Sequence, residues 1–389
     1  MMKYLPLILK NLLRKKTRSA LTIGAILLPL FVICILGTLL RALDSDPSGG
    51  RGMYRLIVRH KVSITNWLSD AQTPKIRQLR GVSELVRMEW FGGSYVDQSA
   101  KNQFARFSTQ DPEALLRVFD EAQIVRGSAD EWIHDRTGVL VGELLMTKFG
   151  WRMGQKIVLK GDIYPISVEL TIRATFRGPD ETGVYFHHAT IEEALPRVKG
   201  FVGWFWIKAA SAEDAMRLPQ EVDALFENSD RPTRTESEKE FQNGWVSMLG
   251  NVKLLLTSIA VIIGCVILLI AANTMGMAAR ERVTEIAVLR TLGYPKKTIL
   301  GMILAEGILL ALLGGLLGLG LFTLFYPVFR KGIQYSPMGG FAAGMGTLPD
   351  PLLLGVAFAV TFVIGLLAGL VPAAQAARRS IVDGLRQVA

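Results

Sequence analysis

Few side chains in this 389-residue chain have the types and spacing that chemistry requires. A phosphate-binding loop holds nucleotide through backbone amides and a lysine in the pattern GxxxxGK[ST], and the chain contains no Gly-Lys dipeptide. It has no route of that kind to ATP hydrolysis. The four histidines are His60, His134, His187 and His188. The last two are adjacent, and neighbouring side chains on a strand point to opposite faces, so the pair is poorly placed to chelate one metal ion. No catalytic residue, metal ligand or cofactor-binding residue is expected in this chain. Trp204 and Trp206 sit two apart and share a face if the segment is a strand. Interior packing is the simpler use for them than gripping a lipid or an aromatic ligand.

The remaining polar groups of interest lie in or beside apolar runs. Glu306 is the ionisable group well inside one of them, whereas a conducting or proton-coupled route needs more. Two readings of it stand: a side chain that reaches back to the cytoplasmic surface or pairs with a basic residue there, and a direct transmembrane coupling role. Gly314 with Gly318, and Gly365 with Gly369, have the GxxxG spacing that lets helix backbones approach closely. Between two of the runs, Arg282, Glu285, Ile286 and Leu289 fall at helical spacing, with Arg290, Leu292 and Gly293 following. The pattern predicts a short helix with an apolar strip edged by charge, capped by Gly293 and stopped by Pro295. Such a helix suits docking in a groove of a partner, or lying on the membrane.

The elements that must position these residues are four apolar stretches, each long enough for the roughly 20 residues a spanning helix needs: Leu21 to Leu40, Val252 to Met277, Ile299 to Phe325 and Leu352 to Val371. No small-x-small cleavage site follows the first, which reads as an uncleaved anchor. Residues 1–20 carry six basic side chains and no acidic one, residues 278–298 five against two, and residues 372–389 three against one. Residues 44–245 carry 26 basic and 29 acidic side chains, so the formal charge of +10 does not belong to them, and nucleic-acid binding is a poor explanation of it. By the positive-inside rule the three basic segments are cytoplasmic.

The expected organisation is therefore a cytoplasmic amphipathic helix at 1–20, where Leu5, Ile8, Leu9, Leu12 and Leu13 share a face. A first transmembrane helix (21–43) leads to an extracytoplasmic α+β domain (44–245), then to a stalk end and second transmembrane helix (246–277). A cytoplasmic coupling helix (278–298), a third transmembrane helix (299–325), an extracytoplasmic loop (326–351), a fourth transmembrane helix (352–371) and a cytoplasmic tail (372–389) complete it. The fold class is a membrane protein with four transmembrane helices and a large domain inserted between the first two. Both cysteines, Cys34 and Cys265, fall in transmembrane runs, so the inserted domain must hold together by its own core.

Within that domain, Tyr54 to His60 and Gln103 to Phe107 read as strands, and Pro112 to Phe119 as a helix with Asp111 at its N-cap. Gly142 to Phe149 reads as a helix ended by Gly150 to Gly154, and Gln155 to Leu159 with Ser167 to Phe176 as a hairpin. A strand from Gly203 to Lys208 precedes a helix from Ala212 to Phe226. The mixture suggests an α+β domain of two subdomains.

The run Arg282, Glu285, Ile286, Leu289, Arg290, Gly293 is similar to the R-x-x-E-I-x-x-L-R-x-x-G signature after the second crossing of MacB/FtsX-type ABC permeases. That group includes the macrolide exporter and lipoprotein-release permeases. Leu12 to Gly24, Val139 to Leu159, Glu306 to Gly318 and Pro372 to Arg386 resemble further family segments in order, although Ser380 to Arg386 lacks the proline and alanine common in the family's tail. The resemblance implies a mechanism: a dimer, of one chain or two related ones, sits on a separate cytoplasmic ABC ATPase. That ATPase binds ATP and Mg, and its closure moves the coupling helices and changes the outer domains. It implies a bacterial inner-membrane protein with both termini inside, bathed in membrane lipids and not bound to nucleic acid. A periplasmic adaptor and an outer-membrane channel are further candidate partners. Two uses of the motion stay open: export or extraction of a lipid, lipoprotein, peptide or amphiphilic drug, and signalling to an extracytoplasmic cell-wall hydrolase.

Overall fold

The computed structural model describes residues 16–44, 50–99, 102–178, 181–248, 250–281, 283–336, 342 and 345–378. Most of the interfacial helix expected at 1–20, and residues 379–389 of the expected tail, lie outside these. The chain divides into a helical unit and an inserted domain, each described by itself.

The first described element, α1 (Lys16–Asp44), is 29 residues long. The inserted domain follows, with β1 (Arg55–His60), β2 (Leu68–Ser69), α2 (Thr73–Arg77), β3 (Val82–Trp90), β4 (Ala105–Thr109), α3 (Pro112–Val118), β5 (Gln123–Gly127), α4 (Ala129–His134), β6 (Gly138–Gly142) and α5 (Glu143–Phe149). It continues with β7 (Lys156–Lys160), β8 (Ser167–Arg177), β9 (Gly183–His187), α6 (Ala189–Ala194), β10 (Phe201–Val202), β11 (Trp204–Ala209), α7 (Ala212–Phe226), β12 (Thr233–Ser237) and α8 (Glu238–Met248).

Ten of these strands form one sheet in the order β12-β1-β11-β3-β4-β9-β6-β8-β5, with β7 also pairing to β8. The β4–β9 and β6–β8 pairs are parallel, and the other neighbours are antiparallel. Alternating side chains send Ile57, Val86, Met88, Leu140, Trp204 and Trp206 to one face, where they meet Leu115 of α3 and Trp132 of α4 in a continuous core. The opposite face carries two separate cores. One gathers Leu56, Leu85, Phe205 and Ile207 under α7; the other gathers Val139, Val141, Ile172 and Phe186 with Leu145 of α5. Both of these cores lie against the same ten-stranded sheet, within one compact unit. In β8 the pairing with β6 steps from Ile172 to Ala174, leaving Arg173 as an extra residue. This bulge reverses the alternation: Val168, Leu170 and Ile172 enter one core, and Ala174 and Phe176 the core on the other face.

The helical unit resumes with α9 (Val252–Glu281), α10 (Val283–Thr291), α11 (Lys296–Gln334) and α12 (Pro351–Arg378). Helices α1, α9, α11 and α12 are long and apolar enough to cross a membrane, and each contributes one residue to a shared core of Ile26, Ile267, Ala311 and Ile364. The 39 residues of α11 amount to about 58 Å of helix at 1.5 Å per residue. That exceeds the run expected from the sequence, because the helix continues through residues 326–334 of the segment expected as a loop, and Pro327 lies inside it.

Candidate functional site: the short helix between α9 and α11

Helix α10 is two-sided. Val283, Ile286 and Ala287 are buried, and Ile286 clusters with Ala279 of α9 and Ile299 of α11, with Tyr294 and Ile303 packed against them. On the outside, Glu285 is exposed, as are Val288 (45 %) and Leu292 (70 %), while Leu289 and Arg290 are half-buried. Ile286, expected on the docking face, is instead committed to the chain's own helices. The exposed apolar pair Val288 and Leu292, one turn apart, was not legible beforehand. The run Ile-Ala-Val-Leu is apolar on every side, and only the packing of α9 and α11 chooses which side faces in. Arg282 lies outside the described residues.

The end of α10 is closed by paired backbone hydrogen bonds. Gly293 adopts φ 92°, its N–H donates to the Arg290 carbonyl at 3.1 Å, and the Tyr294 N–H donates to the Leu289 carbonyl at 3.1 Å. This is a Schellman closure, which places its C′ residue in the left-handed region. A Cβ at Gly293 would meet nothing within 4 Å, so the position requires glycine for its backbone and not for space.

In the helical unit the glycines lie where backbones approach. A Cβ on Gly314 would sit 3.0 Å from the Ile23 carbonyl oxygen, and one on Gly318 2.9 Å from that of Leu27, both on α1. On α12, a Cβ on Gly365 would meet Ala311 at 2.6 Å, and one on Gly369 would meet Leu304 at 3.0 Å. Glu306 is buried, only 8 % exposed.

The inserted domain pairs several charges that are half-buried or buried. Arg87 meets Asp111 through two hydrogen bonds of 2.7 and 2.8 Å and Asp70 at 2.9 Å. Asp111 makes no cap bond to α3; it also accepts the Arg87 backbone N–H at 3.0 Å. The stronger charge-assisted bonds have taken the carboxylate from the expected cap. Glu89 is buried, and burial pushes its carboxyl up to about 7, against hydrogen bonds from Tyr164, Trp67 and the Trp90 N–H. Burial pulls His188 down to about 4; its Nδ1 lies 2.9 Å from Ser108 Oγ. His187 turns to the Trp132 carbonyl oxygen at 2.7 Å, so the adjacent histidines have separate partners. Among the described residues no group of three His, Cys, Asp or Glu side chains is placed to hold a metal. Trp204 and Trp206 pack in the core, against Phe107 and Phe119 respectively.

Residues 257–381, which include α10 and its flanking helices, match the FtsX-like permease C-terminal family. That segment is an FtsX-like permease domain. The chain as a whole is similar to ABC transporter permeases, and its four long apolar helices mark it as a multi-pass membrane protein. It is 21 % identical over 97 % of its length to an uncharacterized ABC transporter permease of Methanocaldococcus jannaschii, covering 96 % of that protein. It is 28 % identical to the pyoverdine export ATP-binding/permease protein PvdT of Pseudomonas fluorescens over 83 % of its own length, spanning 48 % of that relative. To the macrolide export ATP-binding/permease protein MacB of Neisseria gonorrhoeae it is 33 % identical over 36 % of its length, spanning 20 % of that relative. Among solved structures it is similar to the periplasmic region of MacB from Actinobacillus actinomycetemcomitans, with a TM-score of 0.37 and 10 % identity, over 52 % of this chain and 95 % of that one. The extracellular domain of the transporter YknZ from Gram-positive bacteria gives a TM-score of 0.37 and 9 % identity, over 47 % of this chain and 98 % of that one.

Proposed function

We propose that this permease transmits the ATP-driven motion of a separate cytoplasmic ABC ATPase to its inserted domain. The motion serves export or extraction of a lipid, lipoprotein, peptide or amphiphilic drug. The observation that carries the reading is the two-sided α10: Ile286 ties the helix to α9 and α11, while the apolar side chains of Val288 and Leu292 are exposed on its outside. A helix held rigidly at both ends by its own subunit can pass a displacement from a docked partner to two long helices at once. The ATPase binds the ATP and Mg, and the permease works as a dimer with a second copy or a related chain. Basic residues at 1–20, 278–298 and 372–389 orient both termini and α10 toward the cytoplasm, with the inserted domain outside the inner membrane of a bacterium. Export is favoured over signalling because the names of two relatives carry it. Glu306 and the Gly314/Gly318 and Gly365/Gly369 seams lie along the route and hold the helices in register.

The test uses single substitutions in the full chain, purified from cells that make its ATPase. Leu292→Asp places a charge on the exposed apolar face and should lower the yield of the permease–ATPase complex about tenfold or more, leaving the permease itself folded. Ile286→Asp should instead unfold the permease, because its charge enters the core shared with α9 and α11. If Leu292→Asp and Glu285→Ala both leave complex yield and ATP turnover unchanged, α10 is a surface turn and the reading fails.

A further inference from the structure

The inserted domain receives the chain from α1 and returns it to α9 through neighbouring strands. Strand β1, which opens the domain, pairs antiparallel with β12, which closes it, and Leu56 lies opposite Ser237. Helix α8 begins at the next residue, Glu238, and α9 begins four residues after α8 ends. Both connections therefore meet the sheet at one corner, and at that corner sits Arg55.

Arg55 is 2 % exposed. Its Nε donates to Glu238 Oε2 at 2.8 Å and its guanidinium to Glu121 at 2.7 Å. It donates further to the Val118 carbonyl at 3.4 Å and lies 4.8 Å from the centre of the Phe119 ring. Burial pulls its pKa down, and the two carboxylates more than offset that. Phe119 packs edge-on against Trp206 at 5.3 Å, and Trp206 in turn meets Phe241 of α8 at 6.5 Å. The start of α8 is fixed by a reciprocal box in which the Glu240 N–H donates to Ser237 Oγ at 3.2 Å and Glu240 Oε2 accepts the Ser237 N–H at 2.9 Å. The root of α8 is thus bound to the sheet twice, through Glu238 to Arg55 and through Phe241 to Trp206.

We propose that Arg55 and Glu238 form the positioning pair through which movement of α8 is imposed on the sheet of the inserted domain. This rests on the transmitting role proposed above and names the residues that carry it into the domain. Glu121 belongs to the same cluster but lies between α3 and β5, away from the route into α9. Removing either carboxylate withdraws one partner from the same buried guanidinium, so the two losses weigh similarly on the fold. Only the loss of Glu238 removes the ionic tie between α8 and β1, leaving the Phe241–Trp206 contact to hold the helix alone.

The experiment compares Glu238→Gln with Glu121→Gln in the full chain, reconstituted in lipid nanodiscs with its co-purified ATPase. Amide hydrogen exchange is followed with ATP and without nucleotide, alongside ATP turnover and thermal unfolding. Wild type should show ATP-dependent changes in α9 and in β1, β11 and β12. Glu238→Gln should keep turnover and the response of α9 while its response in the strands falls at least about fivefold, the lower range of coupling energies between sites. Glu121→Gln, with a similar loss of thermal stability, should keep both responses. Equal strand responses in the two variants would overturn the role of the pair. An absence of any ATP-dependent change in wild type would overturn the transmitting role itself, and with it this inference.

Discussion

Where α1 meets α11, contact is made by what Gly314 and Gly318 lack; where α8 meets the sheet of the inserted domain, it is made by what Arg55, Glu238 and Trp206 carry. In an apolar surrounding there is no hydrophobic driving force between helices, so close backbone approach and dispersion must hold them. The inserted domain has more polar side chains to place inside and does so in pairs, as with Arg87 between Asp70 and Asp111. A unit held by close approach tolerates little added volume, and a unit held by paired groups tolerates little lost pairing.

The largest expected effect tests the first half of that contrast. Gly318→Leu drives a side chain into the backbone of α1 and should abolish recovery of monodisperse permease from the membrane. Gly320→Leu should be recovered as wild type, because a Cβ at Gly320 meets nothing within 4 Å. Size-exclusion profiles in detergent decide it, and equal recovery of both would mean that the seam does not hold the helices. In the inserted domain, Trp206→Ala removes the ring between Phe119 and Phe241 and should cost about 3–5 kcal/mol. Hydrogen exchange of β1 and β11 amides in the full chain should report it, while α11 keeps its protection; an unchanged sheet would show that the ring only fills space.

The smallest effect concerns Glu89. Its carboxyl titrates near 4.5 when free and about 7 when folded, so the folded domain holds that proton more tightly. The stabilisation is complete below about pH 4.5 and is lost as the pH rises through about 7. Between pH 5 and pH 8 wild type should lose about 2 kcal/mol relative to Glu89→Gln, which keeps a neutral side chain throughout. His188, neutral when buried, acts in the opposite sense at lower pH and is common to both proteins. Parallel pH profiles of exchange in β3 would refute the assignment.

Helix α7 has the bounds expected from the sequence, Ala212–Phe226, because its determinants are local: the Asp214 N–H donates to Ser211 Oγ at its start, and its apolar residues fall at helical spacing. Strand β3 is not legible in the sequence pattern. It carries half-buried Arg87 and buried Glu89, which depend on partners at Asp70, Asp111 and Tyr164 that only the fold brings near. The sheet order was equally hidden, since β1 lies between β11 and β12, well over a hundred residues downstream. For α10, the existence, position and glycine closure were legible, and its facing was not, because the choice between Ile286 and Leu292 is made by α9 and α11.

The extra residue at Arg173 means that β8 is written in two phases. Even-numbered positions up to Ile172 and from Ala174 onward both hold apolar residues, yet they belong to opposite sides of the sheet. An alignment that slides a gap across Arg173 would still match apolar to apolar and look sound, while exchanging inside for outside along the rest of the strand. For a chain compared with relatives at 21 to 33 % identity, that one residue is the punctuation by which the correct reading frame of the domain can be recognised.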